Sequence, residues 1–93
     1  MIKLVQIKKN SYGQYSLAQV YVNPSHIIFM TENSDLKGLL KEGKINLKLE
    51  KSLTFTKIKI NENDHTVEIN VVGSPENIES KMFNNSKRRI LRG

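Results

Sequence analysis

Two neighbouring segments with apolar or β-branched residues at every second position constrain the fold of this chain more than any other feature. The first is Thr54 to Ile60 and the second is Thr66 to Val72. A period of two is that of a β-strand, in which successive side chains point to opposite faces of the sheet. Because the polar run Asn61 to His65 between them provides turn residues, we predict an antiparallel hairpin.

Four further segments are predicted as strands. Ile2 to Lys8 is rich in Ile, Leu and Val, Tyr15 to Val22 comes second, and Ile27 to Thr31 follows a break at Asn23-Pro24. Ile45 to Leu49 alternates apolar with polar residues, as in a strand with one buried face. The predicted fold class is therefore mainly β (α+β), with five to six antiparallel strands in a small sheet or half-barrel and one C-terminal helix.

The run Gly73-Ser74-Pro75-Glu76 predicts where that helix begins. Ser74 caps an unpaired amide, Pro75 takes the first helical position, and Glu76 suits the positive end of the helix dipole. We place the helix at about residues 75–84 and expect Asn84-Asn85-Ser86 to end it. The predicted core joins its apolar face to the strands and comprises Ile2, Leu4, Val20, Ile27, Ile58, Ile60, Val67, Ile69, Ile78 and Met82.

The segment Glu32 to Gly43 predicts either a brief helix or a loop. Ser34 or Asp35 would cap such a helix and Gly43 would end it. Gly38 favours the loop, because glycine inside a helix costs about 1 kcal/mol relative to alanine.

Length and composition narrow the class of protein. A chain of 93 residues has room for one domain with one modest core. The absence of Cys excludes disulfides and thiolate metal sites and agrees with a reducing compartment. The N-terminal residues do not resemble a signal peptide, because lysines interrupt them before an apolar region develops. We therefore expect a cytoplasmic, soluble protein with no membrane span.

The basic residues are concentrated at one end of the chain. The last thirteen positions hold five of the fifteen Lys and Arg residues and no acidic residue, whereas Met1 to Ser80 holds ten Lys and nine acidic residues. We divide the chain into a β-rich domain, residues 1–86, and a basic tail, residues 87–93. A dense basic segment indicates an anionic partner, and we expect nucleic acid ahead of an acidic protein surface.

The residues that we expect to contact this partner lie in two places. Most are in or near the tail, while two lysines share a strand face with Phe55, and three tyrosines are candidate stacking partners for bases. The predicted contact residues are Lys81, Lys87, Arg88, Arg89, Arg92, Lys57 and Lys59, and the tyrosines are Tyr12, Tyr15 and Tyr21.

No grouping of residues in the sequence predicts catalysis. His26 and His65 have no metal-ligand spacing to each other, and both are expected to be exposed turn residues. Glu62 and Asp64 belong to the predicted hairpin loop, and the chain has no glycine-rich phosphate loop. We predict a protein that is not an enzyme and that uses no cofactor and no metal.

The alternative hypothesis is a protein-interaction or regulatory module that acts through its sheet surface or as a homo-oligomer. A small core gains burial when two copies associate, and a free strand edge is the simplest contact for them. In the sequence, Ile45 to Leu49 is the candidate edge.

The run Val20-Tyr21-Val22-Asn23-Pro24, followed by Ile27-Ile28-Phe29-Met30, resembles the small flagellar FlbD/SwrD-type proteins. The hairpin segments and Ser74-Pro75-Glu76 are similar to the second half of their plan. The resemblance implies a small, β-rich, non-catalytic accessory module, and phage or bacterial proteins with the same strand plan fit equally. Asn33 to Ser52 is an insertion relative to those proteins, and the basic tail is not part of their pattern.

Overall fold

A computed structural model describes the backbone of residues 1–92 and the side chains of residues 1–84. Within these residues, five strands, two α-helices and one short 3-10 helix follow one another along the chain. The strands are β1 (Ile2–Lys9), β2 (Tyr15–Val22), β3 (Ile27–Glu32), β4 (Phe55–Glu62) and β5 (His65–Val72); the α-helices are α1 (Ser34–Lys41) and α2 (Pro75–Arg92), and the 3-10 helix is Pro24–His26.

The five strands form one open sheet in the order β2-β1-β5-β4-β3, and every pairing in it is antiparallel. Two hairpins account for β1–β2 and β4–β5. The pairing of β1 with β5 joins these two hairpins, through Gln6 opposite Val71 and Ile7 opposite Asn70. The predicted fold class is confirmed, and of the two predicted forms the structure has the open sheet.

The β4–β5 hairpin is tighter than predicted. The ladder runs from Phe55 opposite Val72 to Glu62 opposite His65, which leaves only Asn63 and Asp64 in the turn. Asn63 has a φ of 52°, a left-handed conformation that asparagine tolerates better than most residues.

One face of the sheet packs against α2. Ile78 of α2 is buried against Ile2, Leu4, Ile58 and other strand residues, and Met82 packs at the edge of the same cluster. All ten predicted core residues belong to this cluster or pack against it, so the predicted core is confirmed. Val22 and Val71 complete its buried part.

The opposite face carries a second cluster of buried residues, which was not predicted from the sequence. Its strand members are Ile7, Tyr15 and Phe55, and it is covered by α1 and by the chain that leads from α1 to β4. The sheet is therefore buried on both faces in its middle. The covering residues are Leu36 and Leu40 of α1 and Ile45 of the connection, with Leu39, Leu47, Leu49 and Leu53 partly buried around them.

The predicted strand at Ile45 to Leu49 is wrong. This segment has no strand partner; it is an irregular stretch whose alternate residues Ile45, Leu47 and Leu49 pack onto the second cluster. A covering segment that lies over a sheet buries one of its sides just as a strand does. Alternation of apolar and polar residues therefore does not distinguish a strand from a covering segment. Because this segment is not a strand, it does not provide the strand edge that was predicted for a homodimer.

The segment from Glu32 to Gly43, predicted as either a brief helix or a loop, contains helix α1. Its N-cap is Asn33 rather than Ser34 or Asp35: Leu36 N donates to Asn33 Oδ1 at 3.1 Å. The Asn33 side chain also donates to Asn70 Oδ1 at 2.8 Å, so the cap is held on β5. The helix ends at Lys41 with Glu42 as its C-cap, and Gly43 stops it as predicted: its φ is 72° and its N–H donates to Leu40 O at 3.1 Å.

Helix α2 begins as predicted but is longer. Asn77 N donates to Ser74 Oγ at 3.2 Å, and Pro75 is the first helical residue. The helix continues to Arg92 instead of ending near residue 84. Asn and Ser cost only a few tenths of a kcal/mol each in a helix, and the run from Lys87 to Arg92 contains good helix formers and no Gly or Pro.

Replacing Phe55 by alanine tests the second cluster. Phe55 is 0% exposed, so Phe55→Ala is expected to lower the free energy of unfolding by about 3–5 kcal/mol through lost burial and a cavity. Phe83→Ala is the matched control, because Phe83 is 66% exposed. This substitution should change the free energy of unfolding by no more than about 0.5 kcal/mol. Urea unfolding followed by circular dichroism measures both, and equal effects would contradict the described packing.

Candidate binding surfaces

The predicted contact residues at the C-terminal end begin with Lys81. Lys81 is exposed on α2, and its Nζ lies 3.5 Å from the carbonyl oxygen of Lys3. The side chains of Lys87, Arg88, Arg89 and Arg92 lie outside the described residues, although the backbone of all four belongs to α2. What was predicted as a separate tail is thus a continuation of the helix backbone up to Arg92.

Lys57 and Lys59 lie on the opposite side of the sheet from α2. On β4 they alternate with Thr56, Ile58 and Ile60, which are buried on the face that packs against α2. The predicted contact residues are therefore divided between two opposite surfaces of the protein, which one ligand bound to a single face does not contact together. The sequence contained the signal for this separation, because Ile58 and Ile60 were predicted to share a core with the helix.

Lys59 belongs to a mixed surface rather than to a purely basic one. On β3, Phe29 is opposite Lys59, and the Lys59 Nζ lies 5.7 Å from the centre of the Phe29 ring, within range of a cation–π contact. On β5, the residue opposite Lys59 is the acidic Glu68. Phe55 shares this face but is fully buried, so Phe29 is the aromatic residue that is accessible beside the lysine.

The three tyrosines do not form one stacking surface. Tyr12 is exposed in the β1–β2 turn, whereas Tyr15 is buried in the second cluster with the Lys9 Nζ 5.7 Å from its ring centre. Tyr21 is exposed on β2, one edge of the sheet, while Phe29 is on β3, the other edge. The accessible rings of Tyr21 and Phe29 therefore belong to opposite edge strands of the sheet.

A shallow groove of about 200 Å³ lies where β2 passes into the 3-10 helix. Its lining includes Tyr21, His26 and Glu62.

Both histidines are exposed, as predicted. His65 lies outside the groove, and its Nε2 is 3.9 Å from Glu62 Oε2. Ser25, the neighbour of His26, donates its hydroxyl to Asn23 Oδ1 at 2.8 Å within the turn, so it is engaged in local structure. Among the described residues, no group of three His, Cys, Asp or Glu has metal-ligand geometry.

The outer edge of β2 is a further surface, which was not predicted from the sequence. Asn10 N donates to Gln14 O at 2.8 Å, which sets the alternation of the β1–β2 ladder and turns the backbone of Tyr15, Leu17, Gln19 and Tyr21 outward. At Tyr15 the outward groups are bound by Asn46: Tyr15 N donates to Asn46 Oδ1 at 2.6 Å, and Asn46 Nδ2 donates to Tyr15 O at 3.2 Å. A side-chain amide thus takes the place of a neighbouring strand at this position.

Comparison with protein-family models, with curated proteins and with solved structures found no match. The resemblance to the small flagellar FlbD/SwrD-type proteins accordingly stays a prediction. In the described part of the chain, no helix has both the length and the apolar character that crossing a bilayer requires.

Replacing Asn46 by alanine tests its role at the β2 edge. Asn46→Ala removes two hydrogen bonds to Tyr15 and is expected to lower the free energy of unfolding by about 1–2 kcal/mol. Hydrogen exchange of the Tyr15 amide should also become faster. Asn61→Ala is the control, because Asn61 is exposed on β4; if both variants unfold at the same urea concentration as the unaltered chain, the described contact is not significant.

Proposed function

We propose that this protein is a cytoplasmic, non-enzymatic module that binds nucleic acid through the basic C-terminal part of α2. The observation that carries the proposal is the one-sided charge of residues 81–93, which hold five basic residues and no acidic one. The absence of Cys supports the cytoplasmic location, since it agrees with a reducing compartment.

The continuation of α2 to Arg92 supports this proposal more strongly than a separate tail would. Four of the five basic residues follow Ser86 on one helical backbone, and the stretch from Lys81 to Arg92 spans about 17 Å at 1.5 Å per residue. A helix has already lost the backbone freedom that an unstructured tail would lose on binding, so its charges meet phosphates at a smaller entropic cost.

Helix electrostatics alone explain only part of this charge pattern. A helix end generally favours basic residues in its last turn, because the end of the helix dipole is negative there, and this preference needs no partner. Lys81 is outside that turn and is exposed, and the acidic residues of α2, Glu76 and Glu79, both precede it. The basic part of the helix therefore has no acidic neighbour along the helix beyond Lys81.

Nucleic acid is placed ahead of an acidic protein because its backbone carries a dense, regular row of phosphate charges that a row of basic residues neutralises. Three of the five basic residues are arginines, whose guanidinium groups match phosphate and carboxylate oxygens alike in a two-pronged geometry. Lys57 and Lys59 are not needed in this proposal, because they lie on the other face of the sheet from α2.

The test measures binding of short single-stranded DNA, RNA and duplex DNA to the full chain at several salt concentrations. A variant with glutamine at Lys87, Arg88, Arg89 and Arg92 keeps a good helix former at each position and removes four charges. With four fewer phosphate contacts, its affinity should fall at least about tenfold at low salt, and the slope of log affinity against log salt should become less steep by about 3.

The matched control removes four charges elsewhere. Lys41, Lys44, Lys48 and Lys51 are all exposed in the connection between β3 and β4, and their replacement by glutamine should leave the salt slope nearly unchanged. Equal loss in both variants would mean that net charge alone drives binding. Binding of poly-glutamate as tightly as nucleic acid would favour an acidic protein as the partner instead.

A second candidate function is protein interaction through the sheet. Ile28 is 52% exposed and Phe29 is 42% exposed on β3, so this edge presents apolar surface to solvent. The candidate agrees with the accessory role that the flagellar resemblance implies. This second function would be favoured by a protein partner that binds the four-glutamine variant as tightly as the unaltered chain. The same partner should no longer bind the Phe29→Ala variant.

A further inference from the structure

Strand β2 is an edge strand without the usual protection. Edge strands normally carry charges, a proline or a bulge that discourages pairing with another chain. The eight residues of β2, Tyr15–Val22, include no charged residue and no proline, in a chain of which 26% of residues are charged. Such a strand is a template for pairing with a further strand.

The other edge of the sheet shows the contrast. Strand β3 has a register irregularity between Ile27 and Phe29, and it ends at Glu32, whose carboxylate lies 3.6 Å from the Lys37 Nζ. A bulge twists the backbone away from a straight ladder, and the charges at its end oppose an apolar approach. The two edges of the sheet therefore differ in their capacity to accept a strand.

The accessible part of β2 has definite ends. At one end, Asn46 occupies the outward backbone groups of Tyr15; at the other, Asn23 and Pro24 begin the 3-10 helix. Between these ends, the outward N–H and C=O groups of Leu17, Gln19 and Tyr21 have no hydrogen-bond partner within the described part of the chain. This stretch is centred on Gln19.

We propose that β2 pairs antiparallel with β2 of a second copy of this chain, about a two-fold axis that passes beside Gln19. In this register Gln19 is opposite Gln19 of the second copy, and Leu17 is opposite Tyr21. Because all three outward residues then form hydrogen-bonded pairs, each pair exchanges two backbone hydrogen bonds. The two sheets become one continuous sheet of twice the width.

The side chains of β2 are complementary to themselves in this register. Leu17 and Tyr21 are exposed on the same face, so each leucine meets a tyrosine of the other copy. On the other face, Ala18 meets Val20, and both are half-buried in the monomer. The two Gln19 side chains lie side by side at the axis, where their amide groups donate to and accept from each other.

Charge favours a second copy at this edge over contact elsewhere between two copies. Each chain has a formal net charge of +6, so most approaches of two copies are repulsive. The uncharged β2 edge brings backbone and side chains together without placing like charges opposite one another. A second copy also provides an identical free edge, which an arbitrary partner would have to possess independently.

The predicted dimer is weak because one strand pair buries less than a standard interface of about 1,600 Å². We expect a dissociation constant on the order of 100 μM, so the dimer should form at high protein concentration and separate on dilution. Sedimentation or light scattering of the full chain measures this association over a concentration range of about a hundredfold around that value. The average molar mass should rise with concentration from 10.7 kDa towards twice that mass.

Gln19→Lys is the decisive variant. It places two lysines directly opposite each other at the two-fold axis, where like charges are destabilising, and should leave the protein monomeric at every concentration. Thr66→Lys is the matched control, because Thr66 is exposed on β5 and the variant adds the same charge away from β2. The control should associate like the unaltered chain.

Gln19→Pro tests the hydrogen bonds separately from charge. The Gln19 N–H points outward in the β1–β2 register, so proline removes a donor that the monomer does not use. This variant should keep its circular dichroism spectrum and lose the dimer. An unaltered chain that stays at 10.7 kDa throughout, or a Gln19→Lys variant that still dimerises, would overturn the proposal.

Salt distinguishes this proposal from the nucleic-acid proposal. Higher ionic strength screens the repulsion between two chains of like charge and should strengthen the dimer, whereas it should weaken phosphate binding. The four-glutamine variant of α2 should dimerise at least as well as the unaltered chain. Either proposal can therefore fail while the other holds.

Discussion

The pairing of β1 with β5 is the contact on which the rest of the structure depends. It is the only direct strand pairing in the described sheet that joins the N-terminal hairpin to the strands that follow α1. Through it, Leu4 reaches the cluster under α2, and Ile7 reaches the cluster under α1. Without this pairing, β1 and β2 would form an isolated hairpin, which is only marginally stable in water.

Cover on both faces of the sheet decides which surfaces are accessible for binding. Helix α2 occupies one face, while α1 and the segment from Ile45 to Leu53 occupy the middle of the other. Among the described side chains, those at the edge of β2 and at the corner of the sheet around Phe29 and Lys59 are left at least partly uncovered. The two proposals use the basic C-terminal part of α2 and the uncharged edge of β2, which differ in chemical character.

Asparagine side chains supply several of the contacts that join these elements. Asn33 caps α1 and binds Asn70 on β5, while Asn46 completes the edge of β2 at Tyr15. An amide side chain both donates and accepts, so it can replace a missing backbone partner where the chain is irregular. These roles were not visible in the sequence, because an asparagine in a polar stretch is equally typical of a solvated loop.

Much of the fold was determined by local patterns in the sequence. Alternation specified the β4 and β5 strands and the core members Ile58 and Ile60, and Ser74-Pro75 specified the start of α2, because these signals depend only on residues near each other in the chain. The tertiary structure alone decided that Ile45 to Leu49 covers the sheet instead of joining it, and that Lys57 and Lys59 lie on the opposite face from the basic helix. It also decided that uncharged β2 lies at an edge. Strand order and the choice of covered face depend on contacts between residues far apart in the chain, and a periodic pattern does not encode which partner a buried face will meet.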